Sequence, residues 1–264
     1  MKGSSKHKFK YIYGPVNSWR FGASLGIDLL SQEEKICNFD CIYCQLGKTQ
    51  EYSTKRGFYV KEEDIISELK SLPYFKIDHI TFSGMGEPTL AENLGDAINA
   101  IKSLNITPIS VLTNSSLLND ENVRKELLLA DVVSCKIDVY SEENFKLINK
   151  PKDIRFLDIL SGIIKFRKEY KKKLFLQIMF IKENRDRASE IRNIALKVNP
   201  DCIHINTPRR YCKELALSPS DIMKIKKEFK GLNVLSIYDK GQEDVMPLNK
   251  EETLKRRGEI QEKH

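Results

Sequence analysis

From about residue 60 onward, short apolar runs alternate with longer segments whose apolar residues recur every three or four positions. The first pattern suits strands and the second suits amphipathic helices. Residues 78–83 (Asp-His-Ile-Thr-Phe-Ser) read as a strand ending at Gly84. Residues 91–104 carry Leu94, Ile98, Ile101 and Leu104 on one helical stripe. Further strands are expected at 108–113, 132–139, 174–181 and 202–206, with helices at 120–129, 157–170, 186–197 and 218–230. An earlier strand at 24–30 and a helix at 61–71 complete the first unit. Leu174 to Ile181 is almost continuously apolar, as in a strand buried on both faces. Ser218 stands where a cap belongs, with Pro219 at the first helical position.

This amounts to about six βα units, whose right-handed repetition makes a parallel sheet that curls toward a barrel. Six units need not close as eight do, so the expected fold class is α/β, an open, partial (βα)6 parallel-strand barrel. Chemistry in such folds sits at the C-terminal ends of the strands. Three segments are expected: an N-terminal extension over 1–23, the barrel over 24–232, and a polar C-terminal tail or helix over 233–264. Within the last, Asn249 can cap a helix from Lys250.

Composition fits one large core: 264 residues, 41% hydrophobic. No apolar run approaches membrane-spanning length, and the Lys-rich start lacks the apolar stretch of a signal peptide. A soluble cytoplasmic protein with no membrane partner is the expectation. Six cysteines are too sparse for a disulfide scaffold, and three are bunched, which favours metal chemistry in a reducing compartment. The net charge is +7, from 44 Lys+Arg against 37 Asp+Glu. Basic clusters at 171–173, 209–210, 224–230 and 255–257 read singly as solvated helix faces and loop ends. Arg209-Arg210 carries more weight, because it follows the sixth strand and suits a phosphate-rich partner such as tRNA.

The bunched cysteines are Cys37, Cys41 and Cys44, in Cys-Asn-Phe-Asp-Cys-Ile-Tyr-Cys. A cubane iron–sulfur cluster has four irons, each wanting a ligand, so three local thiolates leave one iron open to a small molecule. The alternative is structural zinc with a distant fourth ligand, Cys212 or His204. Structural zinc usually takes paired Cys or Cys/His elements, and only one Cys-x2-Cys pair is present. Spacing favours the cluster and leaves zinc open. Gly84-Met85-Gly86-Glu87-Pro88 ends the next strand. Its glycines let a ligand approach the backbone, and Glu87 offers a carboxylate suited to an ammonium group. Alone, the motif also reads as a strand-to-helix turn with a capping Glu.

Together, Cys37-x3-Cys41-x-Tyr43-Cys44 and Gly84-x-Gly86-Glu87-Pro88 resemble the radical S-adenosylmethionine (radical SAM) superfamily. The resemblance covers roughly residues 10–230 and implies a barrel of radical SAM type. It implies a [4Fe–4S] cluster on Cys37, Cys41 and Cys44, its open iron chelated by S-adenosylmethionine. The Gly84, Gly86 and Glu87 strand end would hold the methionine ammonium, and Tyr43 would lie by the adenine. An electron donor would reduce the cluster, and the 5′-deoxyadenosyl radical would abstract hydrogen from a substrate. Thr113 and Asn114 end the third strand, where the superfamily often contacts the ligand. Lys136 and Asp138 share a face near the end of the fourth strand by the period of two, with Asp138 suited to a ribose hydroxyl or to a cap. Gln177 is polar within an apolar strand and either lines the barrel or satisfies a neighbouring backbone group.

The flanking segments 14–20, 24–29, 45–47 and 206–210 are similar to radical SAM proteins grouped with the wyosine-forming tRNA enzymes. That implies a tRNA base as substrate. The wyosine enzymes hold a second cluster on N-terminal cysteines, whereas this sequence has no cysteine before Cys37. The rival substrate is a protein, as for a glycyl radical enzyme-activating protein. A reading of another class is a non-catalytic zinc- or cluster-stabilised nucleic-acid-binding module. Cys135 and Cys202 are expected to be small buried residues. Cys212 lies beside Arg209-Arg210, where it could donate a hydrogen atom, bind a second metal or have no role.

Overall fold

The computed structural model describes residues 9–74, 76–239 and 245–260. β1 (Ile12–Ser18) and β2 (Gly22–Ile27) form a hairpin, and the two-residue strands β3 (Ile36–Cys37) and β4 (Glu51–Tyr52) bracket the cysteine loop. Then come α1 (Glu62–Lys70), β5 (His79–Phe82), α2 (Leu94–Lys102), β6 (Ile109–Thr113) and α3 (Glu121–Leu127). They are followed by β7 (Val132–Lys136), α4 (Glu142–Ile148), α5 (Phe156–Glu169), β8 (Lys173–Met179) and α6 (Ala188–Val198). β9 (Cys202–Asn206), α7 (Pro219–Glu228), β10 (Val234–Ser236) and α8 (Lys250–Arg257) complete the order. The main sheet runs β1-β2-β5-β6-β7-β8-β9-β10. β1 is antiparallel to β2, and every later neighbour is parallel. The result is an α/β fold with a curled, open parallel-strand sheet.

Each strand turns one set of side chains toward the helices and the other toward the inside of the curl. On the helix side Leu174, Leu176 and Ile178 of β8 are fully buried. Burying each contributes about 1.5–3 kcal/mol. The opposite face is not buried as the apolar run suggested: Gln177 and Met179 are half-exposed, because they line a cavity. Helices pack against their chain neighbours outside the sheet, as α1 does on α2 and α5 on α6. Ser218 caps α7, accepting from the Asp221 amide at 3.1 Å, with Pro219 at the first position.

Besides the two-residue strands β3 and β4, three elements are additional to the units read from sequence. β1 falls within the segment read as an extension, yet it forms the antiparallel edge of the main sheet. β10 adds a parallel strand beyond β9, and α4 fills part of the connection between β7 and β8. The C-terminal segment forms α8, capped by Asn249, whose side chain accepts from the Glu252 amide at 3.1 Å. One face of α8 packs on β1. The 255–257 cluster is therefore not a solvated face: Arg256 is 2% exposed, and its guanidinium donates to Asp28 Oδ2 at 2.7 Å. Among the described residues, no helix is long and apolar enough to cross a membrane.

Candidate active site

The cysteine loop is anchored at both ends. Ile36 makes a parallel bridge to Gly86, donating its amide to the Met85 carbonyl at 3.0 Å and accepting from the Glu87 amide at 3.1 Å. On the other side, the Asp40 amide donates to the Asn149 carbonyl and the Ile42 amide to the Ile148 carbonyl, both at 3.0 Å. Thr49 closes the loop by donating to the Phe39 carbonyl at 2.6 Å. These anchors turn Cys37, Cys41 and Cys44 toward a cavity of about 340 Å³ inside the curl. Tyr43, Gly84, Gly86, Glu87, Thr113, Asn114, Lys136 and Gln177 line the same cavity. Asp138 and Cys212 do not.

Two asparagines point amides at the sulfurs. Asn114 Nδ2 is 3.7 Å from Cys37 Sγ, and Asn149 Nδ2 is 3.4 Å from Cys41 Sγ. Beneath the loop, Lys35 is 4% exposed and donates to the Gly47 carbonyl at 3.0 Å. Burial works against its charge, but the neighbouring Cys44, Cys37 and Cys41 sulfurs outweigh that and push its pKa up. Burial pushes the Cys37 thiol up to about 12, with the Cys41 and Glu87 charges adding to it. None of the six cysteines is in a disulfide. Among the described residues, no three Cys, His, Asp or Glu side chains converge as single-ion ligands. His204, one fourth ligand considered for zinc, packs edge-on against Trp19 and Phe175, with ring centres 5.4 and 4.7 Å away.

The strand-end glycines do something other than admit a ligand through their missing side chains. Both have positive φ, 145° at Gly84 and 146° at Gly86. A Cβ on Gly86 would lie 1.6 Å from the Ile36 carbonyl oxygen, and one on Gly84 2.3 Å from Asp28 Cγ. The room that glycine leaves is taken by the cysteine loop and by the Asp28 carboxylate. Glu87 is buried, and its Oε1 accepts from the Thr89 amide, Thr89 Oγ1 and Thr113 Oγ1 at 3.1, 2.7 and 2.7 Å. Its Oε2 accepts from the Asn114 amide at 2.6 Å. Burial raises the Glu87 pKa, and these hydrogen bonds oppose the rise. The capping reading of Glu87 thus describes part of its work, because it also ties β6 to the turn.

The structure sets Asp138 apart from the cavity lining. β7 ends at Lys136, so the alternation that would carry Asp138 to the cavity stops two residues short of it. Its fully buried carboxylate accepts from Tyr43 Oη, from Asn149 Nδ2 at 3.0 Å and from the Met179 amide at 2.7 Å. Lys136 Nζ lies 3.7 Å from Asp138 Oδ2 and 4.6 Å from the centre of the Tyr43 ring. Asp138 therefore positions Tyr43. Burial, followed by the Asp138 charge, holds the Tyr43 hydroxyl well above the usual phenol range.

The lining is also basic. Arg20, Arg209, Arg210, Arg256 and Arg257 contribute to it, with Tyr13 and Asn17. Gln177 accepts from Arg20, which answers whether it faces the barrel or serves a backbone group. Burial, then the charge of Arg257, lowers Arg20 to about 9 and Arg210 to about 10. Cys212 is half-buried and donates to the Glu214 carbonyl at 3.2 Å. Cys135 is fully buried, on the face of β7 opposite the cavity-lining Ser134 and Lys136, whereas Cys202 is only half-buried. Sequence reading passed over Lys35, Asn149, Asp28 and Arg256, because each gains its meaning from a partner distant in the chain or in another element.

Comparison with known proteins bears on this arrangement. Residues 35–195 match the radical SAM superfamily. A UPF0026 protein of Synechocystis sp. is 42% identical over 205 residues, covering 76% of this chain and 77% of that protein. A Brachyspira hyodysenteriae protein named GTPase Obg is 36% identical over 96% of this chain, which spans only 39% of that protein's length. Among solved structures, Streptococcus suis SuiB bound to S-adenosylmethionine shares the fold at TM-score 0.60 and 15% identity, over 77% of this chain and 48% of that one. TYW1 with a lysine-pyruvate adduct shares it at TM-score 0.61 and 18% identity, over 80% and 74%. The wyosine-type resemblance thus extends to fold, while close sequence similarity runs to UPF0026 proteins. Motif, sheet and sequence agree that the chain belongs to the radical SAM superfamily.

Proposed function

We propose that this chain is a radical SAM enzyme that binds a [4Fe–4S] cluster and S-adenosylmethionine in the 340 Å³ cavity and removes a hydrogen atom from a substrate. The observation that carries this reading is the Ile36–Gly86 bridge, which fastens the three-cysteine loop to the Gly84–Glu87 strand end on one cavity wall. The donor set fits the group. Three unpaired thiols come from one loop, two are met by amide donors, and a buried lysine offsets their charge. When bound, the reduced cluster supplies an electron that cleaves the sulfonium of S-adenosylmethionine, giving a 5′-deoxyadenosyl radical that abstracts hydrogen.

Cys37, Cys41 and Cys44 would hold the iron. Metal coordination deprotonates its thiol ligands, which at Cys37 and Cys41 works against the effect of burial. Glu87 Oε2 accepts one protein hydrogen bond against three at Oε1, so it retains capacity for the methionine ammonium. Thr113 and Asn114 fix that carboxylate. Tyr43, locked by Asp138 and Asn149, would flank the adenine, with Lys136 over its ring. An external electron donor is required. The substrate reading that goes with this site is a tRNA base; a partner protein's glycine is the alternative, distinguished by salt-sensitive tRNA binding against copurification of a glycyl-radical partner.

The test is anaerobic reconstitution with iron and sulfide, followed by assay of 5′-deoxyadenosine released from S-adenosylmethionine by a reductant. Wild type should hold about four irons per chain and cleave the molecule. The variant Cys37→Ala/Cys41→Ala/Cys44→Ala should lose both the brown chromophore and cleavage. A triple variant that still cleaves, or zinc with no sulfide in the wild type, refutes the reading.

A further inference from the structure

The orphaned side-chain atoms of the cavity wall can all donate hydrogen bonds. Asn17 Nδ2, Arg20 Nε and Arg257 Nε are buried without a partner, and all three residues line the cavity. Ser134 Oγ, on the same lining, can donate as well. Orphaned acceptors do occur, at Asn93 Oδ1 and Asn144 Oδ1, but neither residue lines the cavity. Each of these atoms is itself buried beneath the lining, so together they record a shortage of protein acceptors around the cavity.

Charge says the same. Arg256 pairs with Asp28 and Lys136 with Asp138. Among the described residues, Arg20, Arg209, Arg210 and Arg257 have no carboxylate at ion-pair distance. Among those residues, too, Glu87 is the one carboxylate on the lining, and its protein hydrogen bonds run to β6 and the Thr89 turn rather than to an arginine. Arg20 comes from the β1–β2 turn, Arg210 from the segment after β9 and Arg257 from the end of α8. The charges of Arg20 and Arg210 each feel that of Arg257.

We infer that Arg20, Arg210 and Arg257, with Asn17, form a subsite for a phosphate group carried by the substrate. Arg20 and Arg210 each give one Nη to the protein, to Gln177 and to the Gly258 carbonyl, and the remaining donors from three segments suit an anion with three or four oxygens better than a carboxylate, which offers two. The assignment to substrate rests on the proposed function, whereas the subsite itself stands on the cavity-lining arginines that have no carboxylate partner among the described residues. A nucleotide monoester and an RNA phosphodiester share this chemistry.

The experiment titrates inorganic phosphate, and acetate as a control, into the anaerobically reconstituted protein by calorimetry. Phosphate should bind and acetate should not. Arg210→Gln and Arg257→Gln should each weaken phosphate at least about tenfold, because each removes a charge-assisted contact. Lys224→Gln, at an exposed position on α7, should leave binding unchanged. A nucleoside monophosphate displacing phosphate assigns the group to a small molecule, and an RNA oligonucleotide displacing it assigns the group to a polynucleotide. Displacement by neither overturns the subsite. So does phosphate binding equal in wild type and both variants, acetate binding as tight as phosphate, or loss of S-adenosylmethionine binding in step with phosphate, which would mark a methionine carboxylate site. The wild-type titration decides even if a variant misfolds. Protein that binds phosphate but cannot cleave S-adenosylmethionine fails the functional reading alone; protein that cleaves it but ignores phosphate fails the subsite alone.

Discussion

Asn149 shows how one short side chain can serve several purposes. Its amide donates to Tyr43 Oη and Asp138 Oδ2, both at 3.0 Å, and reaches Cys41 Sγ at 3.4 Å. Asn149→Ala removes one of the hydrogen bonds to the buried Asp138 carboxylate and should cost about 1–3 kcal/mol in denaturant unfolding. In the reconstituted protein, loss of an N–H aimed at sulfur should make the cluster's midpoint potential more negative, because such donors favour the more negative reduced state. An unchanged potential would leave Asn149 a purely structural residue. Gly86 offers a sharper contrast. Gly86→Ala drives a Cβ into the Ile36 carbonyl and should cost about 3 kcal/mol or more, or prevent folding. At Gly47, with φ of 76° and open space around its missing Cβ, alanine should cost only about 1–2 kcal/mol. Thermal melts of the two variants compare them directly. The cysteines and glycines were legible because their spacing is local. Asn149 was not, since a lone asparagine after a helix carries no signal until Asp138 and Tyr43 meet it.

Among the elements, α8 matters out of proportion to its length. Arg256 joins Asp28, the Lys10 carbonyl and Ser31 Oγ, at 2.7, 2.6 and 2.9 Å. Asp28 in turn fills the space above Gly84. Arg256→Ala leaves that carboxylate buried and unpaired and should destabilise the fold by about 3–5 kcal/mol in urea unfolding. Ser218→Ala, which removes only the α7 cap, should cost about 1 kcal/mol. Similar losses from the two variants would mean that α8 is not a structural clamp. The parallel strands and their helices could be read from hydrophobic period because each buries a face. β1 could not: Gly14-Pro15 interrupts its pattern, and a proline within a run argues against a strand except at a sheet edge, which is where β1 lies. β10 spans only Val234–Ser236, too few residues to show a period. The basic run over 255–257 was opaque for another reason: Lys255 is exposed while Arg256 is buried, and a run of like residues hides which of them turns inward.

At the scale of the whole molecule, most of the helices and strands lie outside the reactive loop. The cysteine loop joins the core through backbone bonds to Met85, Ile148 and Asn149 and through the buried Phe39 and Tyr43 side chains. Removing iron with an anaerobic chelator should therefore leave the far-UV circular dichroism within a few per cent, while trypsin cleavage after exposed Lys48 should rise. A collapse of the whole spectrum would show instead that the metal holds the fold together. The barrel was readable from repeated units; the basic wall was not, because Arg20, Arg210 and Arg257 become neighbours only when the sheet curls.

The Asp28–Arg256 contact joins positions 228 apart. During translation the strands and the cysteine loop leave the ribosome long before Arg256 is made. Until α8 arrives, Asp28 lacks its counter-charge, and Arg257 is missing from the cavity wall. A nascent chain thus carries three thiols in a chamber whose basic lining is still incomplete. A product cut short before α8 would hold the cysteines without Arg256 and Arg257 beside them.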